Sequence, residues 1–265
     1  MPDLFYPQLD TGVIAQYPLR RTDVRRTVLN AMADGTLVSY LDSDASQLQW
    51  ELTYQGLSEA ELQPLLNFFT ACAGRHRGFT FLDPTGNLLV QSANLGATAW
   101  QASGLIQTAG NTVGPDGTAS AFTMTNSGQV RQAVMQTLRV PASYRYTLSM
   151  YVRSLDLSNV GLIAQTPSDQ VQTRNAIGPE WVRVALSPKL NDPGFSLAVG
   201  FELDPGQRVE IFGPQLEPQL APSPYKPTYT EGGIYSNAHW GSDEFPVSLD
   251  GPNLYSTVVT IEARR

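Results

Sequence analysis

Ten residues close to the C-terminus constrain this chain more than any other stretch. From Leu254 to Ala263 the residues alternate, with Tyr255, Thr257, Val259 and Ile261 on one face and Leu254, Ser256, Val258 and Thr260 on the other. That is the two-residue period of a β-strand. A strand presents a row of backbone N–H and C=O groups that a partner has to satisfy. The preceding stretch, Thr230 to Gly251, is rich in Gly, Ser, Asn and acidic residues and reads as loop. The partner strand must therefore lie far upstream. A sheet begun near the N-terminus and completed at the C-terminus gives one discontinuous domain, residues 1–90 and 229–265, with residues 91–228 inserted into it.

The upstream part supplies such a sheet. Val24 to Met32 and Leu37 to Leu41 flank Ala-Asp-Gly-Thr, where Asp34-Gly35 suits the positive φ angles of a tight hairpin turn. Asp42 and Asp44 fall in a turn after it. Gln47 to Tyr54 alternates strictly, sending Leu48, Trp50, Leu52 and Tyr54 to one face. Ser58-Glu-Ala-Glu61 then forms a capping box ahead of Leu62, Leu65, Leu66 and Phe69 at helical spacing, with Gly74 as the stop. This is the one helix expected. Phe79 to Leu82 is a short strand ended by the turn Asp83-Pro-Thr-Gly86.

From about Asn87 the texture changes: Ser, Thr, Gln, Asn and Gly rise and charge thins. Strand-like runs recur at Trp100 to Thr108, Ala119 to Thr125, Val130 to Val140, Tyr144 to Arg153, Val160 to Gln165, Trp181 to Leu186, Ser196 to Glu202 and Arg208 to Phe212. Turn sequences punctuate them, among them Gly114-Pro-Asp-Gly117, Asn191-Asp-Pro-Gly194 and Asp204-Pro-Gly206. Short strands at that spacing predict an antiparallel sandwich of jelly-roll type. The fold class expected is thus mainly β: an antiparallel sheet domain with one helix, carrying an inserted β-sandwich.

Composition narrows the function classes. The 265 residues carry a formal net charge of −7, and the only lysines are Lys189 and Lys226. That balance argues against a nucleic-acid surface built on clustered cations. One cysteine, Cys72, excludes an internal disulfide and any multi-cysteine metal site. The N-terminus has no basic and apolar leader pattern, and no apolar run approaches a membrane span, so a soluble protein made in the cytoplasm is expected, with no membrane partner.

Catalytic arrangements do not stand out. His76 lies in a turn-like Gly-Arg-His-Arg-Gly, and there is no nucleophile elbow, Walker loop or His-Glu-x-x-His. The carboxylate pairs have structural explanations: Glu59 and Glu61 favour a helix N-terminus, and Asp243-Glu244 sits in a loop. No enzyme and no cofactor is expected; the alternatives are a glycan-processing enzyme with an inserted binding module, working through carboxylates such as Asp243 and Glu244, and a sandwich that is a decoration without any ligand. Asp116, Asp192 and Asp204 lie in turns that could offer oxygens to a structural calcium, without the density of a dedicated calcium loop. For sugar binding the requirement is an exposed aromatic face bordered by hydrogen-bonding groups. Trp100, Tyr144, Tyr146 and Tyr151 are the candidates, with Trp181 assigned to the core.

One stretch is more specific. Phe212-Gly-Pro-Gln-Leu-Glu217, followed by Pro224-Tyr225-Lys-Pro-Thr228, resembles the closing signature of carbohydrate-binding-module-like jelly rolls in bacteriophage tail proteins. Pro115-Asp-Gly117, Tyr146 to Arg153 and Trp181-Val-Arg183 fit the same pattern. The flanks, with Trp50-Glu-Leu-Thr-Tyr54, Phe68-Phe69 and Phe79-Thr-Phe-Leu-Asp83, are similar to the belt domain of phage distal and minor tail proteins. The resemblance implies a homo-hexameric ring that continues the tail tube at the virion's tail tip. Its partners would be tail-tube and hub proteins, DNA would pass through the lumen without specific binding, and the inserted jelly roll would face outward toward a host-surface saccharide. Within the closing signature, Gln215 and Glu217 are expected to fasten the last strand to the exit segment rather than to touch sugar.

Overall fold

The computed structural model describes residues 4–102 and 104–264; within these, the side chains of residues 43, 44 and 111 lie outside the description. In chain order, β1 is Leu19–Ala31, β2 Leu37–Leu57, α1 Glu59–Cys72 and β3 Phe79–Leu82. Then follow β4 Gln101–Ala102, β5 Ile106–Thr112, β6 Ala121–Asn126, β7 Gln132–Arg139, β8 Thr147–Arg153 and β9 Ser158–Gln165. After these come β10 Gln170–Ile177, β11 Val182–Leu186, β12 Ser196–Leu203 and β13 Arg208–Glu217, and the chain closes with β14 Ile234–Trp240, β15 Ser248–Gly251 and β16 Leu254–Arg264. The protein is mainly β.

The chain divides into two compact units, Met1–Phe81 with Tyr235–Arg265, and Leu82–Ile234. The sheet of the first runs β1-β2-β16-β14-β3, with β15 on β16. β16 pairs antiparallel with β2 from Tyr255 opposite Leu57 to Arg264 opposite Gln47. Leu48, Trp50, Leu52 and Tyr54 are all fully buried, as their alternation requires. Each such side chain stabilises the fold by roughly 1.5–3 kcal/mol through removal from water. Tyr54 is buried with its hydroxyl satisfied: it donates to the Ile14 carbonyl at 2.7 Å and meets the Tyr6 hydroxyl at 2.9 Å.

The helix has both halves of its capping box: the Ser58 side chain accepts from the Glu61 N–H, and the Glu61 carboxylate accepts from the Ser58 N–H. It ends one residue before the expected stop, at Ala73, which adopts φ 51°. Trp240 closes the core over it, with its ring centroid 5.4 Å from Phe69 and 5.7 Å from Phe79.

Two expectations fail in this unit. Residues 42–46 are not a turn, because β2 is one continuous strand that keeps pairing with β1 across a bulge near Val24. Asp42 therefore lies in a strand, and the Asp44 side chain lies outside the described residues. The hairpin turn spans residues 32–36 and only Gly35 has positive φ, at 83°, while Asp34 accepts from the Thr36 N–H at 2.9 Å. The supposed loop 230–251 also holds two strands, β14 and β15. In β14 only Ala238 and Trp240 are buried, too few to print a period on a sequence as polar as Ile-Tyr-Ser-Asn-Ala-His-Trp.

In the second unit the sheets run β10-β9-β12-β7-β4 and β11-β8-β13-β6-β5. The sequence-distant pairs nest: β9 with β10, β8 with β11, β7 with β12 and β6 with β13. That nesting is the jelly roll. The core lies between the sheets, with Val134, Leu162, Val199 and Phe201 from one facing Met124, Leu148, Met150 and Ile211 from the other. β10 was not expected; as an edge strand it buries only Ile177, so its apolar period is blurred.

Residues 82–90 and 229–234, expected with the first domain, cluster with this sandwich. Asn87, 2% exposed, is the reason. Its Nδ2 donates to the carbonyls of Pro214 and Lys226 at 3.1 and 3.2 Å, and its Oδ1 accepts from the N–H groups of Leu89 and Leu216, each at 3.1 Å. The Gly233 N–H donates to its carbonyl at 2.7 Å. One buried amide thus ties the entry segment, the last strand and the exit segment together.

Candidate functional site

β13 does not run straight. Its pairing with β8 shifts between Phe212 and Gln215, and Gly213 there adopts φ 63°. The bulge is what the Gly-Pro pair permits: a positive φ at the glycine, and a proline that needs no ladder hydrogen bond. A Cβ on Gly213 would lie 2.9 Å from the Tyr225 ring, so the missing side chain is also what lets that ring sit against the strand.

Next to this bulge lies a cavity of about 670 Å³. Phe122, Tyr151, Phe212, Tyr225 and Tyr229 give it aromatic walls, and Ser92, Asp116, Thr118 and Ser120 give it polar edges. The aromatic walls interlock. Phe212 meets Tyr225 edge-on at 5.1 Å between centroids and lies 6.0 Å from Tyr151, while Tyr229 is 68% exposed at the mouth. Burial pushes the Tyr225 phenol up to about 12, against the opposing hydrogen bond to Ser92, so it stays neutral at physiological pH. The Thr118 N–H holds the Asp116 carboxyl below the usual carboxylate range, aided by the Thr118 and Ser120 hydroxyls. Apolar ring faces beside hydroxyls and one carboxylate form a surface that can take the apolar face of a pyranose and hydrogen-bond its rim.

Of the four expected sugar-binding residues, Tyr151 alone lines this cavity. Tyr146 is core, 1% exposed, with its hydroxyl donating to the Pro141 carbonyl at 2.8 Å. Trp100 is 6% exposed, and its indole N–H donates to the Gln91 carbonyl at 3.2 Å. Neither can serve as an exposed platform: both sit at inward positions where the sandwich needs volume, and their polar atoms are used internally. Tyr144 is half-buried in the turn before β8, away from the cavity. Trp181, expected in the core, is instead half-exposed under the Arg153 guanidinium at 4.7 Å.

The outer face of the other sheet offers no comparable surface. Its central cross-strand rows are Gln170, Gln165, Ala198 and Thr137; Gln172, Ile163, Gly200 and Met135; and Arg174, Gly161, Glu202 and Ala133. None of these is aromatic.

The closing signature acts as a fastener. Gln215 and Glu217 are fully buried. Gln215 donates to the Ser223 carbonyl at 3.1 Å and accepts from the Lys226 N–H at 2.7 Å. Glu217 accepts from the Ser223 N–H at 2.9 Å, from the Ser223 hydroxyl and from Lys226 Nζ at 3.2 Å. These bonds hold the exit segment so that Tyr225 and Tyr229 reach the cavity.

Comparison with solved structures places three proteins beside this one. The enzymatically active domain of tailspike protein 4 from bacteriophage CBA120 is 10% identical with a TM-score of 0.40, over 52% of this chain and 22% of that one. The CBM22-1 xylan-binding domain of Paenibacillus barcinonensis Xyn10C is 12% identical with a TM-score of 0.41, over 53% of this chain and 97% of that one. A further xylan-binding domain of carbohydrate-binding module family 22 is 14% identical with a TM-score of 0.42, over 52% of this chain and all of that one. No protein-family model and no curated protein matches the chain.

Other acidic residues singled out in the sequence lie apart from this cavity's lining. The Asp243 carboxylate accepts from the Arg75 N–H at 2.8 Å, and the backbone N–H of Glu244, not its carboxylate, donates to the Ser242 hydroxyl at 3.0 Å. Asp192 accepts from the Ser168 hydroxyl at 2.6 Å, and Asp204 faces the guanidinium groups of Arg131 and Arg174. Among the described residues no three His, Cys, Asp or Glu side chains gather as a metal site, and no helix is long and apolar enough to cross a membrane.

Proposed function

We propose that this chain is a structural component of a phage tail tip. Its split unit joins further copies in a ring, six by the family resemblance, that continues the tail tube and docks the tail hub. Its sandwich binds a host-surface saccharide in the cavity beside Gly213. No catalytic role is assigned to it.

The cavity carries the saccharide reading, because it supplies in one place the aromatic faces and hydroxyl edges that a pyranose needs. The ring reading draws its support from the β1–β2 hairpin. Among the described residues β16 covers β2 only from Gln47 onward, so residues 26–31 and 37–42 form a ribbon with no third strand. On one face of that ribbon stand Leu29, Leu37 and Leu41, 64–68% exposed, and on the other Tyr40, 54% exposed. An isolated two-stranded ribbon is marginal in water, and exposed apolar rows call for a partner. A neighbouring copy in a ring supplies one. The net charge of −7 further suits a lumen through which DNA passes without sticking. Six copies would turn weak single contacts into useful avidity.

Two measurements test this. Sizing and electron microscopy of the purified protein at high concentration, alone and with neighbouring tail proteins, are expected to show rings that Leu29→Asn with Leu41→Asn prevents; persistent monomers would sink the ring. A glycan array is expected to show binding that Tyr229→Ala weakens by about tenfold, the equivalent of roughly 1.4 kcal/mol of lost ring contact. An array silent for assembled protein would sink the saccharide reading.

A further inference from the structure

Resting on the saccharide reading of the cavity, we infer that the site discriminates by charge: it takes neutral or amino-bearing saccharides and rejects those carrying carboxylate, sulfate or phosphate. The residues lining the cavity include no Lys, Arg or His, and Asp116 is their one carboxylate. The other lining side chains that can hydrogen-bond are the hydroxyls of Ser92, Thr118 and Ser120 and the phenols of Tyr151, Tyr225 and Tyr229.

Cations adjoin the site without lining it: Lys226, between Tyr225 and Pro227, pairs with Glu217 at 3.2 Å. Arg183 stacks on Tyr151 at 5.3 Å, but its Nη2 donates to the Ser149 hydroxyl at 3.0 Å and the Ser223 carbonyl at 2.6 Å. Arg153 is paired with Glu210 at 2.5 Å.

Asp116 is held in place by its own turn. Thr118 donates its N–H at 3.0 Å and its hydroxyl at 2.8 Å to the carboxylate, so the group cannot swing far from an incoming anion. The Ser120 hydroxyl lies 3.1 Å from both oxygens, so three donors face four lone-pair sites and the carboxylate keeps acceptor capacity for a sugar hydroxyl or ammonium. A uronate, sialate or phosphate seated on the aromatic walls would meet this fixed, exposed like charge, with no cation among the lining residues. A like charge about 4 Å away at such an exposed edge weakens binding by roughly fivefold.

The test is a glycan array carrying neutral, N-acetylated, amino, uronate-bearing and sialylated oligosaccharides, probed with the full chain and with Asp116→Asn. The substitution keeps the acceptor for the Thr118 N–H and removes the charge. Binding confined to neutral and amino sugars in the parent, extending to acidic ones in Asp116→Asn, supports the inference. As a second readout, rejection of an acidic oligosaccharide should weaken between 50 and 500 mM salt, as expected when the Debye length falls below about 10 Å. Acidic and neutral oligosaccharides binding the parent equally well would overturn the charge discrimination and leave the saccharide site standing. Silence across the whole array would overturn the site itself, and this inference with it.

Discussion

Gly213 and Tyr225 occupy each other's space: a Cβ on the glycine would fall 2.9 Å from Cγ of the tyrosine. Gly213→Ala is therefore expected to destabilise the sandwich twice over. Positive φ at a non-glycine residue costs roughly 1–2 kcal/mol, and overpacking against a fixed ring adds about 1–3 kcal/mol. Gly206, with φ 69° and nothing within 4 Å, is the control that suffers only the first cost. Denaturant midpoints of the two variants measure the difference, and equal losses would show that the ring yields freely.

Glu217 is fully buried, whereas the Lys226 that meets it is about one-third exposed. Removing the acid strands the Ser223 donors but leaves Lys226 able to turn to water, so Glu217→Ala should cost about 1–3 kcal/mol, the range for unsatisfied buried polar groups. Lys226→Met should cost more, about 3–5 kcal/mol, because it leaves the fully buried carboxylate without a counter-charge and with the Ser223 donors alone. The order of the two unfolding midpoints checks this.

Asp192 gives a pH dependence. The Ser168 hydroxyl first, and the Thr166 hydroxyl and Gly194 N–H after it, lower its carboxyl to about 2. A depressed folded value means that stability is fully present above the unfolded value near 4 and is lost as the pH falls toward 2. Asp192→Asn should thus be less stable than the parent at pH 7, with the gap closing between pH 4 and 2. A gap that stays constant with pH would contradict the assignment.

The two ends of α1 predict opposite signs. Ser58→Ala removes the N-cap and should cost about 0.5–2 kcal/mol. Ala73→Gly relieves a residue held at φ 51° and should stabilise by about 0.5–1 kcal/mol. Thermal melts of the two variants should move in opposite directions.

Legibility followed burial. Leu48 to Tyr54 and Ser58 to Phe69 could be read because one face of each is packed and the other is wet, which prints a period on the sequence. The same holds for the fastener role of Gln215 and Glu217, whose amide and carboxylate suit a turn between a strand and a proline-rich exit. β10 and β14 were not legible, since an edge strand and a strand with two buried residues carry almost no period. The cavity was the least legible. Tyr151 could be named, but Phe212, Tyr225 and Tyr229 come from a bulge and an exit segment whose convergence no spacing announces.

By itself the sequence determined the class of fold, the single capped helix and the need for a distant partner for Leu254 to Ala263, because these depend on local periodicity and on backbone groups that must be paired. Only the tertiary structure decided which aromatic rings are walls and which are core. Tyr146 and Tyr151 lie five residues apart on one segment, yet Tyr146 spends its hydroxyl on Pro141 inside the sandwich while Tyr151 opens to the cavity. That choice turns on strand register and on one amide, Asn87, which draws the entry and exit segments against the same sheet. A one-residue step exchanges inside for outside, and only packing sets the step.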